Sequence, residues 1–189
     1  MHSLRLASGA EALVARVIAA EGVAGFGFSL AIEPAVARDM AGWDAYARAR
    51  GAPLWRLLAR RRTAEVPLER DEAPTLRPDW EAARRAIAER RDRVLRVDPF
   101  AWGSLEIVQT IAASAAAYGT PLALLAPNAH PWELAWCAAL AGDGDRVIVR
   151  GTPPAPFVES PEEPGIGVDW ALEPAFGRIV WLDGSALKL

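Results

Sequence analysis

A chain of 189 residues can enclose one substantial core, or one core with a small accessory layer, and is too short for two full-sized domains. Hydrophobic residues make up 52% and charged residues 24%, a balance that excludes overall disorder. The net charge is −3 and the basic residues are dispersed except for Arg60, Arg61 and Arg62, so the footprint of a nucleic-acid binder is missing.

In chain order, the first expected element is a hairpin. Ala12–Ala19 carries Leu13, Val14, Val17 and Ile18, Glu21-Gly22 turns, and Val23–Leu30 returns with alternating glycines and aromatics. Pro34 suits the first turn of a helix in which Val36, Met40, Trp43 and Ala47 recur at helical spacing before Gly51 stops it. A second short helix holds Leu54, Trp55, Leu57 and Leu58.

Beyond the arginine cluster, short apolar runs alternate with amphipathic stretches. Strands are expected at Glu65–Leu68, Val94–Val97, Pro121–Leu125 and Arg146–Val149. Helices are expected from Pro78 to Arg91, from a Ser104 cap to Tyr118 with Gly119 as the stop, and from Pro131 to Leu140. Four βα-type units imply parallel strands with right-handed crossovers. A complete eight-unit barrel takes about 250 residues, so the expected fold class is α/β, a partial (half) βα barrel of about four parallel strands with a reduced α+β capping layer. The division expected is 1–62 for the capping-type segment, 63–150 for the half-barrel units and 151–189 for a C-terminal wrap.

Within these elements some residues limit the chemistry. Cys137, the only cysteine, excludes an intrachain disulfide and a multi-cysteine zinc site, and its flanks Trp136 and Ala138 suit a buried thiol rather than a nucleophile. Trp132 and Trp136, four apart, read as a packing stripe. From Gly151 to Pro164, five prolines and three glutamates read as a loop or extended wrap; Val168–Phe176 reads as a short turn or helix, and Arg178–Trp181 as a strand. Lys188 is the only lysine and lies beside the C-terminus, so a lysine base has one poor candidate; His2 and His130 are the only imidazoles. The longest apolar stretches, such as Ile111–Ala117, fall short of the roughly 20 residues a spanning helix needs. No basic segment precedes an apolar run at the N-terminus, and a cytoplasmic location without membrane partners is expected.

Leu13–Phe28, with its Val-Ala-Gly-Phe-Gly-Phe, then Ala37-Arg-Asp-Met-Ala-Gly-Trp-Asp44 and Gly51-Ala-Pro-Leu-Trp-Arg-Leu-Leu58, resemble the capping domain of the enolase superfamily, in its mandelate racemase and muconate lactonizing branch. Val97-Asp-Pro-Phe-Ala-Trp-Gly-Ser104 with Ala112–Pro121 is similar to that family's sixth strand, helix and seventh strand, and Pro164-Gly-Ile-Gly-Val168 to its closing segment. Pro67-Leu-Glu-Arg-Asp-Glu72 looks like its fifth strand, where a glutamate ligates magnesium. The resemblance implies magnesium held by acidic groups of the third, fourth and fifth strands, stabilising an enediolate while a lysine or histidine takes a proton beside a carboxylate.

The resemblance jumps from Leu58 to Pro67, so the lysine-bearing second strand and the ligands of the third and fourth have no counterpart, leaving Glu72 as a lone ligand. Asp98 matches the family's sixth-strand aspartate, which pairs in some members with a histidine at the seventh strand's end. The matching position here is Pro127-Asn128, with His130 two residues later, and an asparagine does not accept a proton near neutral pH. Each candidate has a plainer reading: Asp98 as a loop cap before Pro99, His130 as a helix entry, Glu72 with Asp71 as an exposed acidic pair, and Glu133 as a helix-dipole partner.

The expectation is therefore a degenerate mandelate racemase-like relative, without metal-dependent enolisation, acting as an oligomeric binding or structural protein. No cofactor is expected unless another chain rebuilds the magnesium site. The expected partners are a second copy, as a dimer through half-barrel edges, and a small carboxylate ligand. The alternative is a racemase, epimerase or dehydratase of a small hydroxy acid or sugar acid, with Asp98 and His130 catalytic and Asn128, Arg70 and Arg96 binding substrate.

Overall fold

Strands β1 (His2–Arg5), β2 (Glu11–Ile18) and β3 (Ala24–Ser29) form an antiparallel sheet in that order, in a computed structural model that describes residues 1–58, 64–70, 80–89, 93–101 and 104–181. The β2–β3 hairpin is the one expected. Its turn closes with Gly22 N–H donating to the Ala19 carbonyl, and Gly22 sits at φ 78°, a left-handed value open to a residue without Cβ. β1 adds to the sheet opposite Glu11–Val14; four residues show too little alternation to announce a strand.

Helix α1 (Pro34–Ala49) lies across β2 and β3 on a face kept small for it. A Cβ built on Gly25 would stand 2.1 Å from the Ala45 backbone nitrogen, and one on Gly27 would stand 2.2 Å from the Ala37 carbonyl oxygen. Alternation along β3 then sends Phe26 and Phe28 to the opposite face. The Gly-Phe-Gly-Phe run is thus a two-sided device: backbone contact with the helix on one side, aromatic packing on the other. Helix α2 (Leu54–Leu57) follows the turn at Gly51, where φ is 60°.

The second sheet has the order β5-β6-β7-β4-β8. β4 (Glu65–Arg70), β5 (Leu95–Val97), β6 (Leu122–Ala126) and β7 (Arg146–Val149) are parallel, whereas β8 (Phe157–Glu159) runs antiparallel to β4. Between them lie α3 (Trp80–Ala88), α4 (Leu105–Ala117) and α5 (Pro131–Leu140). Ser104 caps α4 by accepting the Ile107 N–H, and Gly119 closes its far end at φ 68°. The outer residues expected for the helix at 78–91 lie beyond the described ones.

Three expectations are corrected. The 151–164 wrap contains β8, which covers the Glu65–Pro67 edge of β4. Arg178–Trp181 forms no strand: a 3-10 turn spans Phe176–Arg178, and Trp181 packs its ring 5.5 Å from Phe26 and edge-on to His2 at 4.9 Å. The apolar character of that segment serves ring packing rather than a ladder. The third concerns β4. In a ring of successive βα units each strand neighbours the next and the last neighbours the first. β5, β6 and β7 obey this, but β4 pairs with β7 and not with β5. β4 therefore stands where the first strand of the ring stands, not the fifth, and the missing strands fall between β4 and β5.

One hydrophobic core joins the two sheets, with Leu4, Val14, Phe28 and Met40 packed in the same cluster as Leu95, Ile111, Leu124, Trp132 and Val147. Asp44, fully buried on α1, ties three segments: its carboxylate accepts N–H groups from Phe26 and Ile166, both at 2.9 Å, and the Arg48 Nε–H at 2.7 Å. Gly165 lies over this carboxylate at φ 110°, and a Cβ there would meet Asp44 Oδ1 at 2.3 Å. The Pro-Gly-Ile-Gly block is thus shaped by the need to pass close to a buried charge.

Candidate functional site

In parallel α/β sheets, sites form where several strands end at their carboxyl side. Here β5 runs into Asp98, β6 into Pro127 and Asn128, and β7 into Arg150. A cavity of about 560 Å³ opens at the first two of these ends, between them and the β3–α1 loop. Its lining includes Leu30, Val36 and Phe100 as apolar wall, and Glu33, Asp98, Asn128 and Glu133 as the polar side chains. A cleft of about 750 Å³ beside Arg48 and Trp170 is roomier, but none of its lining comes from a parallel strand end.

Asp98 begins as a loop cap: its Oδ1 accepts the N–H of Phe100 at 2.9 Å and of Ala101 at 3.2 Å. Burial pushes its carboxyl above the ordinary range, against those two hydrogen bonds and the positive charge of Arg150. Glu133, in the first turn of α5, is 1% exposed. Its two oxygens accept the Asn128 backbone N–H and the Asn128 Nδ2–H, each at 2.8 Å. Burial raises its carboxyl as well, the bonds from Asn128 hold it down, and the charge of Asp98 raises it further. The two acids are therefore electrostatically coupled across one cavity. Sequence reasoning assigned Glu133 only to the helix dipole; the helix-first-turn position was legible, but its turn toward Asn128 depends on the loop.

That loop is strained. Ala129 has φ 49° and Ile32, in the β3–α1 loop, has φ 59°, both left-handed values that residues with a Cβ rarely adopt. Each adjoins a lining residue, Asn128 in one case and Ala31 and Glu33 in the other.

His130 points elsewhere. Its Nδ1 accepts the Trp132 N–H at 3.2 Å as the cap of α5, and its Nε2 lies 3.1 Å from Glu173 Oε1. Glu173 also accepts the Ala7 N–H, so this contact joins the C-terminal turns to the start of the chain. Among the described residues His130 does not line the cavity of Asp98, and the two are not brought together as a dyad. Arg70 is exposed at the end of β4 and Arg96 half-buried on β5; neither lines the cavity. Asn128 does line it, and at the same time positions Glu133. Glu72 lies outside the described residues.

Cys137 is fully buried, its thiol donating to the Leu125 carbonyl at 3.7 Å, and burial followed by the charges of Glu133 and Asp98 pushes it well above the usual thiol range. Trp132 and Trp136 are both buried in the core, as a packing stripe requires.

Magnesium asks for several oxygen ligands in near-octahedral array. Among the described residues no three His, Cys, Asp or Glu side chains are grouped to hold a metal. Both oxygens of Glu133 and one of Asp98 are already held by N–H donors, so this pair does not fit the ion.

No family model matches the sequence, and no curated protein matches it. Solved structures match the fold. An enolase from Pseudomonas fluorescens Pf0-1 with bound magnesium, potassium and tartrate has a TM-score of 0.65 at 13% identity, over 93% of this chain and 88% of that one. A mandelate racemase/muconate lactonizing enzyme from Roseovarius nubinhibens has a TM-score of 0.62 at 12% identity, covering 88% and 92%. An N-succinyl Arg/Lys racemase from Bacillus cereus has a TM-score of 0.61 at 9% identity, covering 88% and 91%. With its antiparallel capping sheet and its parallel strands in partial-barrel order, the chain shares the fold of these solved structures.

Proposed function

We propose that this protein is a shortened relative of the mandelate racemase-type enzymes that binds a small molecule in the cavity of Asp98 without metal-dependent enolisation. The observation that carries the reading is the engagement of His130: with Nδ1 on the α5 backbone and Nε2 on Glu173 it does not join Asp98 at the cavity, and among the described residues the ionisable groups that do are carboxyls, Glu133 with both oxygens already on Asn128. Proton abstraction beside a carboxylate needs both a base and stabilisation of the enediolate. The carboxyls around Asp98 offer no positive charge to a developing oxyanion. The cavity itself fits binding, since an enclosure of this size with an apolar wall and a few convergent polar groups is what small ligands use.

The test is proton NMR of α-hydroxy acids and sugar acids in deuterated buffer with magnesium and the protein. The expected result is no exchange of the α-proton above buffer. Protein-dependent exchange that is lost in His130→Ala would overturn the reading in favour of the racemase, epimerase or dehydratase alternative.

Self-association belongs to the same proposal. β8 covers part of the β4 edge, so a second copy cannot extend the sheet there without displacing it. β5 ends the sheet on the other side, and association through it is the geometry proposed for a homo-oligomer.

A further inference from the structure

The polar lining of the Asp98 cavity is uniform in kind. Its polar side chains are three carboxyls and one amide, with no arginine, lysine, histidine or hydroxyl among the described lining residues. Asn128 turns its backbone N–H and one hydrogen of its Nδ2 to Glu133. That assignment also orients the amide, leaving Asn128 Oδ1 as an acceptor. Asp98 offers a second acceptor in Oδ2, its Oδ1 being held by Phe100 and Ala101. Glu33, exposed at the mouth, makes no side-chain cap to α1. What a ligand meets is hydrogen-bond acceptors and negative charge, beside the aromatic ring of Phe100.

A carboxylate ligand would enter that field against the repulsion of three carboxyls, with no cationic side chain among the described lining residues to offset it. An ammonium group would supply donors to oxygens that lack them and relieve the mutual repulsion of Asp98 and Glu133. Arg150 is exposed beyond the lining and offsets only part of the charge. We propose that this cavity binds a small primary-ammonium compound with an apolar body, its cationic end at Asp98 and Asn128 and its body against Leu30, Val36 and Phe100. This rests on the binding reading above and narrows its ligand to a charge class opposite to the carboxylate the family resemblance implies.

Three probes of similar size separate the outcomes: 2-phenylethylamine, 2-phenylethanol and phenylacetate. Each is titrated into the isotope-labelled full chain, following the amides of Phe100 and Ala101 and the Asn128 side-chain amide by NMR, with magnesium alone as a further arm. The amine is expected to shift these signals saturably, with the alcohol weaker by about tenfold or more and phenylacetate silent, as a charge-assisted contact requires. Asp98→Asn keeps the cap to Phe100 and Ala101 and should weaken the amine by about tenfold. Glu33→Gln, at an exposed site where folding is not at stake, should weaken it by about threefold or less. Equal binding of amine and alcohol, binding of phenylacetate alone, or the same shifts from magnesium with a silent amine would each overturn the ammonium assignment while leaving a binding cavity. Silence from all three organic probes would overturn the binding reading itself.

Discussion

Asp98 and Asp44 show how differently two carboxylates are held in one small protein. Asp44 is buried but surrounded by donors on Phe26, Ile166 and Arg48, and its removal takes the acceptor from all three, the Ile166 N–H among them in the interior. Asp44→Ala should cost about 3–5 kcal/mol, the range for breaking a buried charged network, read as a fall in the urea midpoint at unchanged slope. Asp98 is half-buried with its proton affinity raised, so the sign of its contribution is opposite. Its contribution is fully present below the ordinary aspartate range and is lost as pH rises through the raised folded value. Asp98→Asn should therefore melt a few degrees higher than the parent at neutral pH, and the gap should close as pH falls into the carboxylate range. A variant that melts lower at neutral pH, with the deficit closing as pH falls, would show that Asp98 stabilises as an anion. The type of each residue was readable from the chain; its environment was not, because the neighbours of Asp44 come from β3 and from the segment at Ile166, 122 positions away.

At the scale of elements, the seat of α1 on the first sheet is set by glycine rather than by large apolar side chains. The atoms a Cβ would strike at Gly27 are the Ala37 carbonyl oxygen and the Ala41 nitrogen, parts of the helix backbone that cannot rotate away. Gly27→Ala should destabilise by about 3 kcal/mol, the upper end for overpacking, whereas Gly42→Ala, where a Cβ meets nothing within 4 Å, should be neutral or stabilising. Thermal melts of the pair, compared under one condition, check the contrast. Helices α4 and α5 were legible to within a residue because Ser104, Gly119 and Pro131 act locally as caps, stops and first-turn residues. β1 and β8 were not, since short edge strands acquire their pairing from partners far along the chain.

For the whole molecule, the continuous core across both sheets makes separate unfolding of a capping part and a barrel part costly. Asp39 adds a polar tie: its carboxylate on α1 accepts the Leu105 N–H at the start of α4, at 2.8 Å. Urea unfolding followed by tryptophan fluorescence and by far-ultraviolet circular dichroism should give coincident single transitions. Two separated transitions would mean that the shared core does not couple the parts. Sedimentation velocity over a concentration series checks the proposed self-association, with a species of twice the monomer mass expected and a monomer at all concentrations overturning it.

The sequence by itself determined the kinds of elements, most of their ends and the absence of a lysine at any internal position, because caps, glycine turns and apolar period act over a few residues. It also placed Asp98 and Asn128 at strand ends. Only the tertiary structure decided that β4 lies beside β7, that Glu133 joins Asp98 at the cavity while His130 turns to Glu173, and that the charged side chains among the described lining residues are all acidic. Strand order and side-chain company depend on contacts between segments distant in the chain, and local pattern carries no record of which distant segment wins.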